Sequence, residues 1–265
     1  MGKCAPEYRV STTELYLLNA VLATRLFLLF RDKAISFRYA VALWVLQTLL
    51  LLPLTPAWAV VLLAVVLAAV NGLWLWAEAR FPQRLYVIRL TVLAILIAIL
   101  GVFLAPAVGL TLDAMHPDLA AAAARHFAFA RPIVDLDWRT FHIYVLGILL
   151  CVSEANLLVR VVIENFNLKP QDSVPVGAEA SATASAEYKR GRVIGLLERL
   201  LLFYLVLGGH YGALGFVIAA KTMARFKNLE DRSFAEYFLV GTLLSLMAAG
   251  TVALFTRWLL HATAA

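Results

Sequence analysis

Long apolar runs, closed by prolines, glycines or clusters of basic residues, recur along the whole chain. No stretch alternates apolar and polar residues with the period of two that a membrane β-barrel would need. Seven segments read as membrane-spanning helices, at 37–53, 57–77, 87–108, 140–162, 193–209, 211–226 and 236–256. The clearest lies in the third, where Leu90 to Leu110 runs 21 residues without a charge, enough to cross a hydrocarbon core of roughly 30 Å. Pro53 and Pro56 bracket a tight turn between the first two segments, Pro82 breaks the next loop, and Gly208–Gly209 marks the turn between the fifth and sixth. The pattern predicts an all-α, polytopic transmembrane bundle of about seven spans, with six to eight as the range.

Segment 12–30 fits less well, because it is apolar yet carries Glu14 and Arg25. It is expected to lie in the cytoplasmic interface, with Arg25, Arg31 and Lys33 toward headgroups. The domain organisation that follows is an interfacial helix in 1–36, a four-span part over 37–166, a flexible linker at 167–190 and a three-span module over 191–265. The linker, NLKPQDSVPVGAEASATASAEYKR, holds almost no large apolar side chain and is expected to be weakly ordered. The outer loop 110–139 is expected to hold a short alanine-rich helix between Pro117 and Pro132.

Composition sharpens the class. Hydrophobic residues make up 63% of the chain and charged ones 15%, far from the balance of a water-soluble domain. The net charge of +6 is therefore read as basic residues collected in cytoplasmic loops, and no nucleic acid is expected. With the N-terminus inside, eighteen Lys and Arg fall on the cytoplasmic side and four outside, with Arg199 left in a span. That bias favours a multi-pass inner-membrane protein with a cytoplasmic N-terminus and an outer C-terminus. Counting 12–30 as a span would flip every loop and invert that bias, so it is not read as one.

The candidate chemistry sits where a span holds an ionisable group, since such groups are costly in lipid and are paired or used. Glu198 lies about 9 Å inside the start of its span and Lys221 equally far inside the end of the next, so the two can pair. Arg199 stands beside them. The pair reads either as a clasp on the helical hairpin or as part of an ion path. A second polar set is SEANLLVR, where Ser153, Asn156, Arg160 and Glu164 share one helical face and Glu154 points elsewhere. Small residues at spacings of four, namely Gly191–Gly195, Gly215–Ala219 and Gly241–Ser245–Ala249, predict close helix packing. Five histidines and several aspartates fall on the outer side, but without tight ligand spacing, so no metal or cofactor is expected. Nucleotide-binding, nucleophile-elbow and CxxC motifs are missing as well.

The run from GRVIGLLER to EYFLVGTLLS resembles the C-terminal module of a family of uncharacterised bacterial membrane proteins, with the pattern IGxLER, GxxxAxGF, AAKxxxRF and EYxxxGTLxS. The residues that carry the likeness are Gly195, Glu198, Arg199, Gly215, Phe216, Lys221, Arg225, Phe226, Glu236, Tyr237, Gly241, Thr242 and Ser245. EANLLVR, just upstream, is similar too. The resemblance implies an inner-membrane protein and brings no activity with it. The functions that fit are an oligomeric small channel or permeability effector, a non-catalytic membrane subunit or scaffold for a membrane or cytoplasmic partner, and, third, an intramembrane enzyme. Membrane lipids and further copies of the chain are the expected partners.

Overall fold

The computed structural model describes residues 10–29, 31, 33–112, 137–166 and 178–264, with the backbone alone over 178–190 and at 228, 233, 263 and 264. Among these residues the fold is all-α apart from one short antiparallel pair, β1 (Leu54–Thr55) with β2 (Thr111–Leu112). The helices are α1 (Thr12–Arg25), α2 (Phe37–Leu51), α3 (Ala57–Arg80), α4 (Leu85–Phe103), α5 (Trp138–Leu149), α6 (Ala155–Asn165), α7 (Ala178–Leu207), α8 (Tyr211–Ala224) and α9 (Arg232–Ala264). A π-turn, Leu150–Glu154, joins α5 to α6. The expected outer helix falls in 113–136 and the first half of the expected linker in 167–177, both outside the described residues.

Each of the seven apolar segments is helical. Among the described residues, four helical stretches are long and apolar enough to cross a membrane: Ala57–Arg80, Pro82–Phe103, Trp138–Asn165 and Phe234–Ala262; α2 and α8 are apolar but shorter. These fit a membrane protein, since a helix satisfies its own backbone hydrogen bonds where no water can. The C-terminal module begins earlier than its composition suggests. Helix α7 starts at Ala178, inside the stretch expected to be a linker, because alanine and glutamate favour a helix once a chain is in one.

The chain divides into two compact units, residues 1–149 with 258–265 and residues 150–257. In the first, α1 packs against α2, α4 and α5, and α3 lies between α2 and α4. Ser11 and Glu14 form a reciprocal capping box that starts α1. The core is Leu17, Val21, Leu43, Leu63, Leu67, Trp74, Leu96 and Leu100 with their neighbours.

Helix α1 differs from its expected place in an interface. Leu15 and Leu17 are fully buried, and Arg25, expected among headgroups, is 1% exposed. The helix runs the depth of the unit. At its start Tyr16 donates a 2.7 Å hydrogen bond to the Leu50 carbonyl at the end of α2, and Thr13 Oγ1 accepts from Leu112 N of β2. At its end Arg25 donates to the Arg89 carbonyl near the start of α4. It therefore lies antiparallel to α2 and α4. Of the two charges that suggested an interface, Glu14 serves the helix cap, and Arg25 meets the backbone of α4 inside the unit.

In the second unit α7 packs on the π-turn and on α8. The α7–α8 turn is a Schellman motif: His210 N donates to Leu205 O and Gly209 N to Val206 O. Gly209 has φ +75°, which a glycine takes without a Cβ clash.

Candidate functional site

The sequence-predicted cluster assembles in the second unit. Glu198 and Arg199 are consecutive on α7, so their side chains leave the helix about 100° apart. Glu198 turns to α8 and forms an ion pair with Lys221. The two side chains are 18% and 22% exposed, so the pair is sheltered but not sealed. It borders a crevice shared by α7, α8 and α9, whose walls include Leu202, Ile218, Thr242 and Ser245. Lys221 Nζ also stands 5.6 Å from the Phe238 ring centre, a cation–π contact.

Arg199 turns the other way, toward α6. It is 5% exposed, and its Nη2 donates a 3.0 Å hydrogen bond to Asn156 Oδ1. The Cys151 thiol donates to the Arg199 carbonyl at 3.4 Å. Two consecutive residues thus tie α7 to both neighbours, one through an ion pair and one through a charged-to-neutral hydrogen bond.

The second polar set departs from the helical wheel. The π-turn over Leu150–Glu154 adds a residue to the turn and shifts the register by about 100°. Glu154, expected to point away, is buried with Ser153, whose hydroxyl donates to it at 3.0 Å. Asn156 faces Arg199, while Arg160 and Glu164 are half-buried further along α6.

The small-residue stripes divide. Ser245 and Ala249 are buried on α9, and Gly241 lies against Ile163 of α6, where a Cβ would stand 4.0 Å from its Cδ1. Gly215 and Ala219 are exposed on α8, a helix with no buried residue. Gly191 meets nothing within 4 Å, and Gly195 only the Arg199 guanidinium at 4.0 Å. Of the expected stripes, the α9 one alone makes a close helix contact among the described residues.

The first unit holds a denser network that the sequence reading missed. Glu78 at the end of α3 is 0% exposed and accepts three hydrogen bonds: from Arg89 Nε at 2.9 Å, Trp74 Nε1 at 2.8 Å and Ile35 N at 2.8 Å. Arg89 gives two more, to the carbonyls of Arg31 and Lys33 at 2.6 and 3.1 Å. The Arg25 guanidinium lies over the Trp74 ring at 5.7 Å. Deeper in the unit Asn71 donates to Gln47, and Gln47 to Thr24. Asn19 donates to the backbone carbonyl and lies 3.2 Å from Nδ1 of His142, whose ring is flanked by Tyr16, Trp138 and Phe141. A signal existed: Asn19, Gln47 and Asn71 are isolated amides within apolar runs, and Glu78 is the lone acid of its segment. Arg89 lies two residues inside the third apolar segment and was overlooked because it counts with Arg80 and Arg84 as a basic residue of the cytoplasmic side.

Among the described residues no three His, Cys, Asp or Glu side chains converge as metal ligands would. Comparison of the chain with protein-family models, with curated proteins and with solved structures finds no match. The functional reading therefore rests on the geometry.

Proposed function

We propose that the protein is a multi-pass protein of a bacterial inner membrane, belonging with the family its C-terminal module resembles, and that it works as an oligomeric small channel or membrane-permeability effector. The carrying observation is the Glu198–Lys221 pair, partly exposed on a crevice whose other walls hold no charged side chain. A sheltered pair of this kind adds little net stability over apolar residues of the same volume, so its retention in a membrane helix points to use. In this reading the pair closes the path, and exchange of either partner for an ion or water opens it.

The placement of α1 changes the topology that goes with this reading. If α2 to α4 span, α1 spans beside them and starts at the face opposite the basic turns. Eight spans result, with both termini outside. Fifteen Lys and Arg then lie on the cytoplasmic side and six outside, with Arg25 and Arg199 within spans, so the basic bias still holds.

Ion flux from proteoliposomes holding the purified protein tests the proposal. Flux above that of protein-free liposomes, changed by Glu198→Gln and by Lys221→Met, is expected. Flux at the protein-free level for wild type and both variants overturns it. The second reading, a non-catalytic subunit or scaffold, is favoured by α8, which buries no residue and exposes Phe216 and Met223 at 76% and 78%. Stoichiometric co-purification of another protein, lost on Phe216→Ser, would select it.

A further inference from the structure

Arg199 is a buried and poorly compensated charge of the second unit. A guanidinium keeps its proton in proteins, so burying it leaves a full cation in a poor solvent. Its hydrogen-bond partner, Asn156, is neutral, and its Nε has no partner. Among the described residues no carboxylate lies at ion-pair distance from it. The adjacent Glu198 attracts it through space, but that carboxylate is bound to Lys221 on the other side of α7. Arg160, one turn beyond Asn156 on α6, adds a like charge that repels it. Beside the guanidinium stands Gly195, one turn earlier on α7. A Cβ there would meet Nη1 at 4.0 Å and nothing nearer, so the glycine leaves room next to the cation. Gly195, Asn156 and Arg160 are half-buried, so the approach is open.

We propose that this corner of α6 and α7 binds a phosphate-type oxyanion, held by the Arg199 fork with Asn156 fixing one arm and Arg160 adding charge. A planar fork with one arm already oriented suits an oxyanion, which accepts two parallel hydrogen bonds. The anion supplies the close-range negative charge that no side chain among the described residues supplies. It can come from an anionic lipid headgroup or from free phosphate. The site holds whether or not the protein conducts ions.

The test uses the full-length protein, delipidated in detergent. One arm titrates inorganic phosphate against the thermal unfolding midpoint at constant ionic strength. The other measures by native mass spectrometry the retention of phosphatidylglycerol over phosphatidylcholine. A saturable rise in midpoint that Arg199→Gln abolishes assigns free phosphate. Preferential retention of phosphatidylglycerol, reduced about tenfold or more in Arg199→Gln, assigns the lipid headgroup; a single bidentate charged contact of about 1.5–3 kcal/mol corresponds to a loss of at least that size. If neither probe separates wild type from Arg199→Gln, the proposal fails. Should Arg199→Gln not fold, Gly195→Leu keeps the arginine and fills the space beside it. Its loss of the same signal supports the site, and unchanged binding of both probes by wild type and Gly195→Leu overturns it.

Discussion

The sharpest prediction concerns Glu78 and Arg89, because the two buried ion pairs differ in a way that fixes their order of importance. Glu78 and Arg89 are 0% and 1% exposed, and Glu198 and Lys221 18% and 22%. Glu78→Gln keeps the volume and removes the charge. It leaves the Arg89 cation sealed in the unit, a situation that costs about 3–5 kcal/mol. Glu198→Gln leaves Lys221 at a crevice where water and headgroups can reach it, so the loss is nearer 1–2 kcal/mol, between the values for surface and buried pairs. Arg89→Met should cost as much as Glu78→Gln, because the carbonyls of Arg31 and Lys33 lose their donors and Glu78 its cation. The double variant Glu78→Gln/Arg89→Met removes both charges and recovers part of the loss. Recovery stays partial because those carbonyls remain unpaired. A coupling of about 2 kcal/mol is expected from the cycle. Equilibrium unfolding in mixed micelles, followed by tryptophan fluorescence, reads all four stabilities; Trp74, hydrogen-bonded to Glu78, reports locally. Two results refute the reasoning: effects of Glu78→Gln and Arg89→Met that add within about 0.5 kcal/mol, or a Glu78→Gln loss no larger than that of Glu198→Gln.

Three further outcomes follow from the same structure. A reporter fused ahead of Met1 should be active in a periplasmic assay, as should one after Ala265; cytoplasmic activity at Met1 returns α1 to an interfacial place. Ala249→Leu, at a position with 0% exposure, should overpack α9 and cost about 1–3 kcal/mol, while Ala219→Leu on the open face of α8 should stay within about 0.5 kcal/mol in the same unfolding assay. Asp137 caps the start of α5: partial burial opposes its charge, but hydrogen bonds from the Thr140 amide and hydroxyl outweigh that and hold its carboxyl below the usual range. Its contribution is therefore present above the unfolded carboxylate value near 3.9 and is lost as pH falls through the lower folded value. Asp137→Ala should lower stability modestly at pH 7 and leave it unchanged at the acid end of the profile; an equal loss at both ends contradicts the cap.

Much of the fold was legible because a membrane segment must satisfy its own backbone and present apolar side chains outward, and both demands are local. Uncharged length, Pro53, Pro56, Pro82 and the Gly208–Gly209 turn placed the seven apolar helices along the chain. The equal depths of Glu198 and Lys221 follow from helix rise and a short turn, so their meeting could also be read from spacing. The rest depended on which helices become neighbours. Residues 178–190 look like a linker by composition and are helical because they continue into α7. The π-turn that brings Glu154 inward has no signature in the spacing of SEANLLVR. Helix α1 carries charges and one amide that suit an interface as well as a polar interior, and its neighbours decide between them. Asn19 meets His142, Thr24 meets Gln47, and Arg25 meets the Arg89 backbone, from partners 23 to 123 residues away. Local pattern was enough to specify an apolar helical protein with a charged hairpin. The joining of Glu78 to Arg89 and the turn of Arg199 toward a neutral amide came from packing, because a buried charge is compensated across space by whatever group the packing brings to it.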